Sequence, residues 1–285
     1  MKLSRIVCVI VTFLLLGING RIAQADQLNL AIMEDMRGAV KKYAPLIEYL
    51  NNKGIQVSLI EVPTYPIAAK TFASGKIDAM FSGSGIAGTM MIKGVANPLV
   101  RPLSKEGIST YSAIILAPKG SPKFTGSADY FTGKNVIFTS LASAGEFYFY
   151  SIPNIASVNA IKLPVPSHGY GIEALAHGGG QIAIVKNRVW DKMKDKYPHL
   201  EAVGEGKGEY PDNTLIVSSK TNKETIAKLA RALLTLKDDN SPQTQSVRDQ
   251  MDIQGYIKTT TGDFKDTFEI LKKGGVDQSF NFAFK

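Results

Sequence analysis

The segment Gly133-Lys134-Asn135-Val136-Ile137-Phe138-Thr139-Ser140-Leu141-Ala142-Ser143-Ala144-Gly145-Glu146-Phe147-Tyr148-Phe149 carries the reading of the fold. Residues 135–138 are apolar and β-prone, bounded by Gly133 and Thr139, which predicts a buried strand. Residues 139–145 form a turn of small side chains. From Glu146 onward, Phe147, Tyr148, Phe149 and Tyr150 predict the start of an aromatic-rich helix. Four aromatics in a row cannot share one helix face, so most are expected in the core. A strand, a hydroxyl-bearing turn and a helix make an anion cradle. The first N–H groups of a helix lack internal acceptors, and its dipole favours negative charge there. The same pattern also describes a plain β-to-α connection with Ser143 as N-cap.

Outward from this segment, strands and helices alternate in both directions. Upstream, residues 28–32, 57–62 and 77–81 read as strands. Residues 40–52 read as a helix that Pro45 either kinks or opens. Thr64 is placed to cap a second helix, and a third runs through Met91. This order predicts a parallel sheet with right-handed crossovers. Downstream, residues 110–117, 161–163, 181–185 and 213–218 read as strands, and 168–177 and 188–195 as helices. Thr221-Asn222-Lys223-Glu224 has the spacing of a capping box, opening a helix with Ile226, Leu229, Ala230, Leu233 and Leu236 inward. The tail through Phe264, Phe268 and Leu271 is expected to pack back on the first unit.

The predicted fold is α/β with two lobes, each a mostly parallel sheet flanked by helices. Lobe 1 is read as residues 26–112 plus 219–285 and lobe 2 as 113–218. The extended segments 110–117 and 213–219 are read as hinges between them. Ligands of open α/β sheets sit at the carboxyl ends of the strands, which here would face one cleft.

The N-terminus reads as an export signal. Lys2 and Arg5 form a basic start, residues 6–18 an apolar run, and Ala23-Gln24-Ala25 a cleavage site, so residues 1–25 are expected to be removed. The apolar run falls short of the roughly 20 residues of a spanning helix. Cys8, the single cysteine, lies within that run, so a cleaved chain has no thiol or disulfide chemistry. Losing Lys2, Arg5 and Arg21 lowers the net charge from +8 to +5. The remaining charge is spread without a basic block, which argues against nucleic acid and mildly favours an anionic ligand.

The chain resembles the periplasmic solute-binding proteins of ABC importers, in particular the phosphonate-, phosphite- and phosphate-binding group. The resemblance runs through Pro45, Leu50 and Gly54, then Tyr65 and Gly75-Lys76-Ile77-Asp78-Ala79. It continues through Tyr111-Ser112-Ala113-Ile114, Gly133 to Phe138, His168, and Ile182-Ala183-Ile184-Val185. It implies a periplasmic protein that takes a small anion in an interlobe cleft and hands it to an ABC permease in the inner membrane. A monomer with no cofactor and no metal is implied as well. It implies that Tyr65 and Tyr111 line one side of the cleft, and the 139–145 turn and His168 the other. Thr139, Ser140, Ser143 and the backbone of Ala144 are the candidate contacts in that turn. In phosphonate binders the turn is a Ser-Thr-Ser-Gly run, where this chain has Ala142-Ser143-Ala144-Gly145. Aminophosphonate binders place an acidic residue after the strand ending at Val185, where this chain has Lys186-Asn187-Arg188. Both departures argue against an aminoalkylphosphonate. The same fold also serves ligand-sensing subunits of signalling systems, and an exported esterase-type enzyme is a third reading.

Other motifs carry less. Gly83-x-Gly85-x-x-Gly88 matches a dinucleotide fingerprint, but an exported protein meets little of that cofactor, so a tight turn at the cleft is the expected role. Ser82 and Ser84 flank this turn as candidate ligand donors. His168, His177 and His199 lack metal-ligand spacing. There is no Gly-x-Ser-x-Gly motif, and no base is evident beside Ser143.

Overall fold

The computed structural model describes residues 26–34 and 38–284. The expected export signal, residues 1–25, lies outside them. In chain order the first lobe contains β1 (Asp26–Ile32), α1 (Ala44–Asn52), β2 (Ile55–Ile60), α2 (Tyr65–Ala73), β3 (Ala79–Ser82), α3 (Ser84–Ile92) and β4 (Ala96–Ser104). The chain crosses at β5 (Thr110–Tyr111). The second lobe holds β6 (Ala113–Pro118), β7 (Asn135–Thr139), α4 (Tyr148–Tyr150), β8 (Ile161–Val165), α5 (His168–Ala176), β9 (Ile182–Lys186), α6 (Asn187–Met193) and β10 (Leu200–Glu205). It returns at β11 (Tyr210–Pro211) to β12 (Thr214–Ser218), α7 (Lys223–Thr235), α8 (Pro242–Met251), β13 (Ile253–Lys258) and α9 (Lys265–Lys273). Among the described residues no helix is long and apolar enough to cross a membrane.

The two-lobed α/β fold is as expected, but each sheet is mixed rather than mostly parallel. The first has the order β13-β4-β12-β3-β1-β2 and the second β10-β6-β9-β7-β8. The pairs β1–β2, β1–β3, β7–β8 and β7–β9 are parallel. Both sheets are completed by antiparallel strands. Helices cover both faces of each sheet, so inner strands read as continuous apolar runs. On one face of the first sheet Leu28, Leu30, Phe81 and Leu215 pack with residues of α1, α7 and α8. On the other, Ala31, Met80 and Ile216 pack with α2, α3 and α9.

The lobe boundary moves. β12 was read as the end of lobe 2, yet it lies between β3 and β4 in the first sheet. Every residue of β12 is buried, so its sequence says strand without saying which sheet. The crossings are β5 and β11, which pair with each other as a two-stranded ribbon, Tyr210 opposite Tyr111. β4 escapes the sequence reading because Pro98 and Pro102 interrupt it. Prolines in sheets sit at edges or bulges. The register slips between Leu215 and Ile216, opposite Val100 and Pro98.

Smaller expectations resolve locally. Pro45 lies in the first turn of α1 and does not kink it. Asn222, not Thr221, caps α7, accepting from the Glu224 N–H at 2.7 Å. The Thr221 hydroxyl instead donates to the Asp78 carbonyl, 143 residues away. α9 packs on α3 as expected, but the chain beyond it crosses to the second lobe. Phe284 stacks on Tyr150 with ring centroids 3.9 Å apart and also meets Phe147.

Candidate functional site

The turn after β7 is less regular than its sequence suggests. Leu141 has φ 56°, in the left-handed region. Its side chain is buried in the interlobe core, and burying a leucine contributes about 2–3 kcal/mol, more than the strain of about 1–2 kcal/mol. Ala144 and Gly145 depart from helical geometry, so residues 143–147 form a kinked turn and α4 is a single turn. Ser143 is not an N-cap; that position belongs to Ala142 and has no side-chain cap bond. Gly145 allows the kink, since a Cβ there would lie 2.7 Å from the Thr139 carbonyl oxygen. Phe147 and Phe149 turn into the core, while Tyr148 and Tyr150 are half-buried.

Glu146 fixes the turn by accepting the Leu141 N–H at 2.9 Å. Burial pushes its carboxyl above the ordinary value, and the Leu141 hydrogen bond partly offsets this. A raised folded pKa means the contribution to stability is present below the unfolded pKa and lost as pH rises through the folded one. At neutral pH the charge therefore weighs against the fold. Glu146→Gln keeps an acceptor for Leu141 and removes the charge. Its thermal midpoint is expected to exceed wild type by about 1–3 °C at pH 7 and to match it near about pH 4. A midpoint lower than wild type at pH 7 refutes this.

Freed from capping, the Ser143 hydroxyl reaches the other lobe. Ser84 Oγ donates to Ser143 Oγ at 2.8 Å. The Tyr111 hydroxyl lies 2.5 Å from Ser143 Oγ and 3.1 Å from Ser84 Oγ. It also accepts the Ser84 N–H at 3.2 Å. Three hydroxyls from α3, β5 and the kinked turn thus form a buried triangle joining lobe 1, hinge and lobe 2. Burial raises the Tyr111 phenol, partly countered by Lys186, so the phenol stays protonated and able to donate. Ser82, just before this point, is fully buried and its hydroxyl has no hydrogen-bond partner among the described residues.

The glycines of the 83–88 motif receive structural reasons. A Cβ on Gly85 would lie 2.7 Å from the Ser143 backbone nitrogen and 2.6 Å from the Phe147 ring. A Cβ on Gly88 would lie 2.8 Å from Leu271 and 2.9 Å from Thr267 of α9. Gly85 lets the lobes touch, and Gly88 lets two helices of lobe 1 touch.

The other candidates gather beside the triangle. His168 opens α5, is buried, and its Nδ1 lies 3.5 Å from Thr139 Oγ1. The Tyr65 ring meets it edge-on at 6.5 Å. Thr139, Ser140 and Tyr65 line a cavity of about 240 Å³ at the cleft mouth, with Thr64 and residues 164–166. Ala144 is buried within the turn. His177 and His199 lie elsewhere, each near a backbone carbonyl.

Two residues that sequence reasoning missed or misweighed complete the electrostatics. Lys186 and Asp212 are buried and paired at 2.5 Å. Arg188 holds the second Asp212 oxygen at 2.9 Å. The Lys186 ammonium lies 4.5 Å from the centroid of the Tyr111 ring. Asp212 follows Pro211 at the return crossing, and no motif announces it. Chemically this region is a set of O–H donors backed by a fixed cation. Ser143 has only hydroxyl partners for its side chain among the described residues, so it lacks the base a nucleophile needs. The described residues hold no cluster of three metal-ligating side chains.

A family model described as ABC transporter, phosphonate, periplasmic substrate-binding protein matches residues 31–264. No curated protein matches the chain. Among solved structures, PhnD1 from Prochlorococcus marinus in complex with methylphosphonate is 17% identical, with TM-score 0.72 over 87% of this chain and 98% of that one. A binding component of an ABC phosphonate transporter from Pseudomonas aeruginosa is 14% identical, with TM-score 0.72 and 87% of each chain covered. A Xanthomonas citri protein bound to chloride ion is also 14% identical, with TM-score 0.72 over 87% and 97%. At such identities the likeness is one of fold.

Proposed function

The chain belongs to the periplasmic phosphonate-binding proteins of ABC transporters, and on that premise we propose that it captures a small oxyanion lacking an amine. The guest is of the phosphate, phosphite or alkylphosphonate kind, held between the lobes and passed to an ABC permease. The chain works as a monomer exported by its N-terminal leader. The observation that carries this reading is the triangle of Ser84, Tyr111 and Ser143 beside Lys186. Three O–H donors converge within the span of one tetrahedral oxyanion. On hinge opening the guest takes over the hydrogen bonds that the hydroxyls make to each other, and closure around it restores the interlobe link. Ser82 supplies a further donor, and Thr139, Ser140, His168, Tyr65 and the Ala144 backbone complete the proposed lining.

Lys186 decides what the guest cannot be. Its ammonium, paired with Asp212, stands at the position where the resemblance to aminophosphonate binders calls for an acidic residue. A ligand amine would meet like charge in a desolvated place. Titration calorimetry with phosphate, phosphite, methylphosphonate and 2-aminoethylphosphonate tests this. The amine-bearing compound is expected to bind weakest. In Lys186→Met the oxyanion affinity is expected to fall about tenfold, since an adjacent cation adds roughly 1–2 kcal/mol to a hydrogen-bonded anion. Arg188 keeps Asp212 paired, so the variant remains folded. Preference for 2-aminoethylphosphonate in the wild type defeats the reading.

A further inference from the structure

We propose a second anion site, on the hinge side of the interlobe crevice and separate from the hydroxyl triangle. A cavity of about 240 Å³ lies there, with walls from both lobes and from the return crossing. Among the described residues four cations line it, Lys42 from lobe 1 and Lys186, Arg188 and Lys192 from lobe 2. Among the described residues two carboxylates share the lining with them, Asp212 and Asp252. Asp212 is shared between Lys186 and Arg188. Lys42 and Lys192 are exposed and form no ion pair among the described residues. Glu106 stands near Arg188 and Lys192, its carboxyl held low first by a hydrogen bond from Ser104 and less by these cations.

Among the described residues the lining thus carries a surplus of positive charge, four cations against two carboxylates with Glu106 at the edge, which suits an anion. Arg188 adds direction. A guanidinium has five donors in a planar fork, and among the described residues that of Arg188 has one hydrogen-bond partner, Asp212. The remaining donors suit a phosphate group. Val189, Met251 and Ile253 give the cavity an apolar wall, which favours a phosphate ester with a short carbon body over an inorganic ion. Because both lobes contribute cations, the guest bridges them and holds the crevice shut.

Titration calorimetry at low salt, with phenyl phosphate and pyrophosphate as separate probes, tests the site. Wild type is expected to bind phenyl phosphate, and Lys42→Glu/Lys192→Glu to bind it at least tenfold more weakly. Both substituted side chains are exposed, so the thermal midpoint without probe is expected to stay within a few degrees of wild type. Hydrogen exchange then locates the probe. Protection over residues 187–193 and 249–253 supports the site. Protection confined to 139–147 sends the probe to the triangle and overturns it, as does unchanged affinity in the double variant. Tighter binding of phenyl phosphate identifies an organic ester, and tighter binding of pyrophosphate an inorganic guest; in either case the site stands.

Discussion

Gly85→Ala is expected to weaken oxyanion binding about 10–100-fold while leaving the lobes folded. The new methyl would sit 2.7 Å from the Ser143 nitrogen and 2.6 Å from the Phe147 ring. Neither can yield cheaply, since one is backbone and the other is packed against Phe280 and Phe284. Overpacking of this kind costs about 1–3 kcal/mol, and here the strain falls on lobe closure, not on either core. The lobes part by a few tenths of an ångström, and the 2.8 Å bond between Ser84 and Ser143 lengthens with them. Gly88→Ala is the control. Its methyl meets the side-chain ends of Leu271 and Thr267 within lobe 1, so it lowers the thermal midpoint and leaves affinity near wild type. Calorimetry with methylphosphonate, phosphite and phosphate, beside thermal melts of both variants, separates the two effects. Equal affinity losses in both variants contradict the assignment of Gly85 to lobe closure.

Tyr111→Phe is expected to cost a similar factor through chemistry instead of shape. The ring stays under the Lys186 ammonium and against Tyr210, so packing is kept. What disappears is the hydroxyl that joins Ser84 to Ser143. A hydrogen bond to an anion contributes about 1.5–3 kcal/mol, or roughly 10–150-fold in affinity. The two serines remain bonded to each other, so the unliganded protein is expected to melt within about 2–4 °C of wild type. Since burial holds the phenol above its ordinary pKa, the contribution of Tyr111 should be constant between about pH 6 and 9. Affinity within twofold of wild type for all three oxyanions removes Tyr111 from the site.

The fold was legible where period and punctuation were strong. Strands β1, β3, β7 and β9, and helices α2, α5 and α7, follow from apolar runs, Thr64 as a cap and the glycines after helix ends. β4 was not legible, because Pro98 and Pro102 argue against a strand and only bulged antiparallel partners accommodate them. The assignment of β12 to a lobe was beyond local pattern, as an all-buried run fits either sheet. The site was half legible. Tyr111, Ser143 and Ser84 could each be nominated, but their meeting across 59 residues between the serines is a product of lobe closure. The alternative of Ser143 as a cap fails at the kink of Ala144 and Gly145, which has no signature beyond small residues. The ion cluster around Asp212 combines a strand end with a hinge, which no spacing rule links.

The place of β12 bears on how the chain folds after it is made. It is the strand that joins β3 to β4, and through β4 to β13. Until residues 214–218 have emerged, the first sheet consists of two disconnected parts, even though most of its strands precede the second lobe in sequence. The second lobe has no such dependence, since its five strands lie within residues 113–205. It can therefore condense first, while the lobe that begins the chain waits for the end of it. Closing so long a loop is slow, because the entropy is lost before the contacts that offset it are made. A chain threaded through a membrane from its N-terminus would then keep its leading part unfolded during transit, a delay set by strand order alone.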